Sequence, residues 1–281
     1  MSNIHWFPGH MNRALREIGE KASLVDLVVE LRDARAVFSS ANSDLLAMLK
    51  KQQRLIVLTK SDLALEYETD KWIKHFLSEG QQAIAVNLLN NNDIKRLVKA
   101  IVATDGDKRR KEEARGMKPQ PLRIMVVGVP NAGKSTLINK LAGKRVALVE
   151  NRPGKTKAQQ WIKVENKFLL LDTPGILPMK FEKPELAINL ALLGMVKEEI
   201  LPKEELALKI ILYLKENHLK QFITFYSLND SSVTDERKII ENIALASGAL
   251  VGGAPDFNRA SMILLNDFRN GRITRLSLEK I

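Results

Sequence analysis

The segment Gly128-Val129-Pro130-Asn131-Ala132-Gly133-Lys134-Ser135 constrains this chain more than any other. It follows an apolar run, Leu122–Val127, and opens a helical pattern from Ser135 to Ala142 that Gly143 stops. In that place the pattern G-x-x-x-x-G-K-[ST] calls for a tight loop whose N–H groups, with the helix N-terminus, converge on phosphate. Gly128 and Gly133 permit the loop, Lys134 can reach β- and γ-phosphates, and Ser135 can ligate Mg²⁺. Asn131, Ala132 and Thr136 are expected to line the same site. A strand, such a loop and a helix in succession belong to an α/β sheet architecture.

Two further motifs narrow the nucleotide. Asp172-Thr173-Pro174-Gly175 ends the apolar run Phe168–Leu171. A carboxylate there can hold Mg²⁺ through water, and the Gly175 N–H can reach a γ-phosphate. Thr59-Lys60-Ser61-Asp62 follows the run Arg54–Leu58 and resembles N-K-x-D, with Thr59 in the asparagine position. Asp62 can accept from guanine N1–H and N2–H₂, a pattern adenine does not present, while the Lys60 stem can lie across the base. Between the phosphate loop and Asp172, Asn151-Arg152-Pro153-Gly154-Lys155-Thr156 offers Thr156 to complete a Mg²⁺ shell; an ordinary surface turn is the competing reading. Val86-Asn87-Leu88-Leu89 stands where the last pocket loop belongs, without the usual serine–alanine pair, and Asn87 is its candidate contact.

The order of these motifs is reversed. A phosphate loop ordinarily precedes the base reader, yet here residue 59 precedes residue 128. Circular permutation accounts for this: domain termini lie close together, so joining them and opening the chain elsewhere keeps the sheet intact. The basic stretch Asp105–Pro121 would be the new connection, with a short helix possible in its middle. The segment after Asp172–Gly175 would then lead directly into whatever follows.

Strand-like runs at Leu24–Leu31, Arg54–Thr59 and Gln82–Asn87 alternate with helical patterns at Asn42–Lys50, Asp70–Glu79 and Asp93–Val102. Gln160–Val164 and Lys167–Leu171 read as paired strands turning at Asn166. From Pro184 the strand signals stop, and apolar residues recur at helical spacing in Leu186–Val196, Glu204–Leu214, Glu236–Ala246 and Asn258–Phe268. The expected architecture is therefore an α/β nucleotide-binding domain over residues 1–180, mostly parallel with helices on both faces, and an all-α domain over residues 181–281. The net charge of +11 favours a polyanionic partner, RNA or DNA. The absence of cysteines excludes disulfides and thiolate metal sites, and no apolar run approaches the roughly 18 residues of a membrane span. No targeting segment is recognisable, so a cytoplasmic protein without a membrane partner is expected.

Taken together, Trp6-Phe7-Pro8-Gly9-His10-Met11, Asp33-Ala34-Arg35, GVPNAGKSTLIN, NRPGKTKAQQWIKV, LLLDTPGIL and Gly271-Arg272 before a strand-like tail resemble the circularly permuted GTPases of large-ribosomal-subunit assembly. The resemblance covers nearly the whole chain. It implies GTP hydrolysis to GDP with Mg²⁺, slow in isolation and stimulated by a large-subunit precursor with its rRNA, in a protein monomeric when free. It maps a proposed catalytic role onto His10, since Ile176 stands where many GTPases keep a water-orienting glutamine; a structural helix-start role for His10 competes. It assigns Asn131 to a possible K⁺, and it places RNA contacts in the helical domain, where Arg269, Arg272 and Arg275 are the candidates; a solvated charged face is the alternative. Two rival functions stay open: an RNA-binding scaffold using GTP as a structural ligand, and a P-loop kinase or ATPase, against which Asp62 argues.

Overall fold

The structure, a computed structural model, describes residues 9–118, 120–142, 147–148, 161–164, 168–196, 202–228, 233 and 235–281. The chain divides into two compact units. One runs to Glu182 and takes back Glu279–Ile281; the other is Lys183–Leu278. Glu279 shows why the tail groups with the first unit: its carboxylate accepts the N–H of Phe38 (2.6 Å) and of Ser39 (2.9 Å), together with the Ser39 hydroxyl.

The first unit begins with α1 (Gly9–Ala22), then alternates β1 (Leu27–Asp33), α2 (Ser43–Met48), β2 (Gln53–Thr59), α3 (Glu66–Ser78), β3 (Gln82–Val86) and α4 (Asn91–Ala103). After α5 (Gly106–Ala114) come β4 (Leu122–Gly128), α6 (Lys134–Ala142), β5 (Ala147–Leu148), β6 (Trp161–Val164) and β7 (Phe168–Leu171). They form one sheet in the order β3-β2-β1-β4-β7-β6-β5. The first five of these strands are parallel; β6 pairs antiparallel with both β7 and β5.

Alternation along the strands explains the two layers. Val28 registers with Met125, while Ile56 and Leu58 sit opposite Glu30 and Arg32, so these residues share one face. Leu15, Ile18, Leu45 and Leu49 pack on that face beside Val28, Met125 and Val127, and Trp72 and Phe76 pack there against Ile56 and Leu58. Leu27, Val29, Leu55, Val57, Ile124 and Val126 point the other way and are equally buried, so a second layer must cover them. Helices α4 and α6 pack against β3 and β4. Right-handed crossovers give the same division, since the chain steps one way from β1 to β3 and the opposite way from β4 to β7.

Several boundaries move for physical reasons. Strand β1 runs on through Glu30, Arg32 and Asp33 because those buried charges pair: Arg32 Nε lies 2.7 Å from Glu30, and Asp33 binds Arg35. The connection after α4 does contain a helix, α5, although its sequence has almost no apolar residue; buried Glu112 holds it by accepting the Gln120 N–H at 3.1 Å. Helix α1 carries Met11, Ala14, Leu15, Ile18 and Ala22 on one stripe and lies over the core; the sequence reading touched it only as a possible helix start at His10. The turn expected at Asn166, and the stop at Gly143, lie outside the described residues.

The second unit contains α7 (Pro184–Leu192), α8 (Lys203–Asn217), α9 (Leu219–Tyr226), α10 (Glu236–Ser247) and α11 (Phe257–Arg269). Leu206, Ile210, Leu214, Phe222, Ile239, Ile243, Leu264 and Phe268 are buried in it. The unit is helical as expected, with one addition and one correction, the latter to the strand-like tail. A short hairpin, β8 (Leu250–Val251) with β9 (Ala254–Pro255), precedes α11, turning on Gly252 and Gly253 at positive φ. The tail after Gly271 forms no strand; Arg272 folds back so that its N–H meets the Asp267 carbonyl at 3.0 Å. Among the described residues no helix is long and apolar enough to cross a membrane.

Candidate nucleotide site

Strand order reverses between β1 and β4, and open α/β sheets bind ligands in the crevice at such a point, outside the carboxyl ends of the strands. Every motif singled out in the first unit whose residues are described sits on that edge. The phosphate loop leaves β4, Asp172 leaves β7, Thr59–Asp62 leaves β2 and Asn87–Leu89 leaves β3. A cleft of about 250 Å³ there is lined by Lys60, Asn131, Gly133, Lys134, Ser135 and Thr136.

The phosphate loop is glycine-dependent at two positions. Gly128 has φ 153°, and a Cβ there would fall 2.6 Å from the Leu31 carbonyl oxygen of the neighbouring strand. Gly133 has φ 102°, and its Cβ would fall 2.8 Å from the Leu88 side chain. Asn131 between them holds a left-handed conformation, φ 58°. Lys134 opens α6 with only 7% of its surface exposed, and its ammonium donates to the carbonyls of Gly128 (3.1 Å) and Val129 (2.8 Å). Burial lowers its pKa to about 8, against the opposing pull of the Asp172 carboxylate. Gly175 comes so close that a Cβ would lie 2.9 Å from Lys134 Nζ.

The Thr59–Asp62 loop is tied to the Gly128–Ser135 loop by the residue that departs from the N-K-x-D pattern. Thr59 is fully buried, and its hydroxyl lies 2.8 Å from the Ala132 carbonyl and 3.1 Å from that of Arg32, so its one proton can join either. A hydroxyl thus fastens the loop at the asparagine position. Lys60 adopts φ 55°, and its ammonium lies 3.0 Å from Asp33. Asp62 stands half-exposed in the following turn, where Ser61 N–H meets the Val86 carbonyl at 3.4 Å. Asn87 uses its carboxamide oxygen to accept the Leu89 N–H at 2.8 Å, and its own N–H donates to Asp93. Its side chain shapes the loop.

Asp33 and Arg35 belong to this edge and were not among the site residues expected from sequence. Burial would raise the Asp33 carboxyl, yet the Arg35 guanidinium, with help from Lys60, holds it down to about 2. The available signal was a D-x-R placed where an apolar strand ends.

Ser135 and Thr136 are exposed in the first turn of α6, and Asp172 is exposed at the end of β7. Hydroxyls in the first turn of a helix and a carboxylate at a strand end on the same sheet edge are hard-oxygen donors of the kind that Mg²⁺ takes, so these residues fit that ion. Behind Asp172 the backbone is anchored: the Thr173 hydroxyl donates to the Val126 carbonyl at 2.6 Å, Asn42 donates to the Ile176 carbonyl at 2.9 Å, and Asp44 accepts from Met179 N–H at 2.6 Å. Ile176 itself is 1% exposed and packs with Leu15, Ile18 and Leu45. The His10 side chain, Thr156 and the Asn151–Thr156 segment lie outside the described residues.

In the second unit the three arginines differ. Arg269 donates to the carbonyls of Ala191 and Leu192, both at 3.0 Å, and so closes the last turn of α7. Arg272 pairs with Asp267 at 3.0 Å while remaining 64% exposed, and Arg275 is exposed.

Comparison with known proteins bears on this arrangement. Residues 123–241 match the 50S ribosome-binding GTPase family. Ribosome biogenesis GTPase A of Bacillus cereus is 38% identical across 98% of this chain and 93% of its own length. The Thermotoga maritima protein of the same name is 35% identical over 99% of this chain and 94% of its own. The crystal structure of GNP-bound YlqF from T. maritima superposes with a TM-score of 0.67 at 30% identity, covering 95% of this chain and 98% of that one. A GDP-bound structure of YlqF gives the same TM-score. Identity at this level over nearly the full length, on a sheet where the strand leading to Thr59–Asp62 precedes the strand leading to Gly128–Ser135 in the chain, places this protein in the ribosome biogenesis GTPase A family of circularly permuted GTPases.

Proposed function

We propose that this GTPase is a switch that binds immature large ribosomal subunits through rRNA, promotes a late assembly step and leaves when GTP is hydrolysed. The observation that carries the nucleotide half of this reading is the Thr59 hydroxyl, 2.8 Å from Ala132, which joins base-reading and phosphate-binding loops into one cleft. Asp62 reads the guanine edge and Lys60 lies across the ring. Lys134 and the N–H groups of Asn131–Thr136 hold the β- and γ-phosphates. Ser135 and Asp172 hold Mg²⁺, joined by Thr156, and Asn131 takes K⁺; such cations offset the charge that builds on the phosphates during transfer. Asp172–Gly175 senses the γ-phosphate and leads on through the chain to the helical unit, whose Arg272 and Arg275 contact RNA phosphates, with Arg269 holding α7 in place beside them. The net charge of +11 supports the RNA contact.

Ile176, buried among aliphatic side chains, cannot orient an attacking water, which makes hydrolysis slow until another polar group is supplied; His10 is the residue proposed for it. The same burial favours the second reading, a scaffold that keeps GTP as a structural ligand. Single-turnover hydrolysis, with and without purified large-subunit precursors, separates the two. A switch accelerates on the particle, whereas equal rates leave only the scaffold.

A further inference from the structure

The base-reading loop does not hold its own lysine. Lys60 has a left-handed backbone, φ 55°, which an L-residue keeps only where its surroundings impose it. Its ammonium is turned towards the neighbouring strand, where Nζ lies 3.0 Å from Asp33 Oδ2. The sheet dictates this meeting, because Asp33 and Thr59 are register partners at the carboxyl ends of β1 and β2, and Lys60 follows Thr59. Asp33 is itself fixed from several sides. Arg35 Nε donates to Oδ1 and Nη2 to Oδ2, both at 2.9 Å; the Arg35 N–H meets Oδ1 at 3.0 Å; and the Asp33 N–H donates to Ser40 Oγ at 3.0 Å. Neither Asp33 nor Arg35 has more than 1% of its surface exposed, so the pair is a rigid, desolvated post. Lys60, by contrast, keeps 29% of its side chain exposed and forms part of the cleft wall.

A free lysine side chain loses rotamer entropy when a ligand immobilises it. Held at its head, it has lost much of that freedom already, and its stem is a fixed surface for a flat ring. We infer that Asp33 is a positioning residue for the nucleotide: it anchors the Lys60 ammonium so that the lysine stem forms a preset face for the purine, and Arg35 locks Asp33 in that role. This rests on the reading of Thr59–Asp62 as the base-reading loop. The anchor acts on the face of the ring, so its effect is common to purines that differ at the edge.

The test measures GDP and IDP affinity of the full chain by calorimetry. Lys60→Met keeps a stem of similar length and removes the charge; both nucleotides bind about tenfold more weakly, the equivalent of one partly buried ion pair. Lys60→Arg, which can rebuild the pair, recovers most of that loss. Unchanged binding by Lys60→Met, or a loss confined to GDP, overturns the inference. Lys60→Ala, which also removes the stem, addresses the reading beneath it: if GDP still binds as in the parent, the base-reading assignment fails instead. In the cycle with Asp33→Asn the double variant with Lys60→Met is no weaker than the weaker single variant, since one interaction cannot be lost twice. Losses that multiply show that Asp33 acts independently of Lys60 and refute the anchor. The Lys60 series leaves the Asp33–Arg35 pair intact, so it decides the matter even if Asp33→Asn does not fold.

Discussion

The two units place charge differently. In the first, charged residues stand at the carboxyl ends of parallel strands, on the edge that carries the cleft, even where they also bind a neighbour: Lys60 after β2 and Lys134 after the β4 loop line it, Asp172 follows β7 on the same edge, and Asp33 ends β1 beside Lys60. In the second, charged residues bind one another and the backbone. Arg269 closes α7, and Asp267 takes the Tyr226 hydroxyl at 2.8 Å on one oxygen and Arg272 at 3.0 Å on the other. Burial, and the Asp267 carboxylate that accepts its hydrogen bond, keep Tyr226 protonated far above the ordinary tyrosine range. A strand end offers one direction for a polar group, so its chemistry is dictated by whatever occupies the cleft. A helix bundle offers many surfaces, and an arginine on one of them can serve the fold as readily as a ligand. The comparison therefore predicts which substitutions damage the fold, which damage nucleotide binding and which do neither.

Asp33→Asn has the largest expected effect, because it sits on both sides of the comparison, at the cleft edge yet buried. It removes the carboxylate that pairs with the buried Arg35 guanidinium and should cost about 3–5 kcal/mol of stability near neutral pH. The sign with pH follows from the lowered carboxyl. Its folded pKa of about 2 lies below the ordinary 3.8, so the stabilisation is complete above about pH 4 and disappears as pH falls towards 2. Urea unfolding of parent and variant at pH 6 and at pH 2.5 should show the gap narrowing on acidification. A gap of constant size means that the ion pair is not what Asp33 contributes.

Asp62→Asn separates ligand chemistry from stability. The amide reverses one donor–acceptor relation with guanine, and losing a charged bidentate contact should weaken GTP by roughly 2–4 kcal/mol and improve xanthine nucleotides. Half-exposed in its turn, Asp62 should leave the unfolding midpoint of the free protein nearly unchanged. Undiminished GTP affinity would remove Thr59–Asp62 from the site.

That contrast also sets how far the chain could be read unaided. The segments Gly128–Ser135, Asp172–Gly175 and Thr59–Asp62 could be picked out because a site for phosphate, metal and guanine would demand particular atoms at fixed spacing, and the structure gathers the three segments on one sheet edge. The reversed strand order was legible for the same reason, from motif order alone. What Thr59 does was not, since a hydroxyl in an asparagine position says nothing of its reach to Ala132. Asp33 and Arg35 were visible as a motif, but not their place beside Lys60, because that depends on the β1–β2 register. Helix α1 carried a regular apolar stripe that the proline- and glycine-rich residues before it obscured. The hairpin at Leu250–Pro255 is too short to leave a periodic signal. Arg269, Arg272 and Arg275 looked alike in sequence, since pairing is a property of the fold.

Arg269→Ala is the next effect down and tests the second half of the comparison. It withdraws a charged donor from the carbonyls of Ala191 and Leu192, which should destabilise the helical unit by about 1.5–3 kcal/mol while GTP affinity stays the same. If instead stability is untouched and RNA binding falls, the guanidinium serves a ligand in solution and the contrast between the units weakens.

Arg275→Ala should do least to the fold and is the most informative about RNA. Its exposed side chain stands in the tail beyond α11, where surface substitutions usually change stability by less than about 0.5 kcal/mol. If it meets a phosphate, it displaces about one condensed counterion, so the slope of log affinity against log salt should fall by about 1 while sequence preference is unaltered. The measurement is a salt titration of binding to large-subunit rRNA or its precursor particle, with Arg269→Ala alongside. Arg269→Ala should keep the parent slope, because a guanidinium already bound to two backbone carbonyls has no counterion to release. A reversal, with Arg269 changing the slope and Arg275 not, would mean that the helical unit opens its α7 cap to bind RNA. Charge in that unit would then face its ligand as it does in the first.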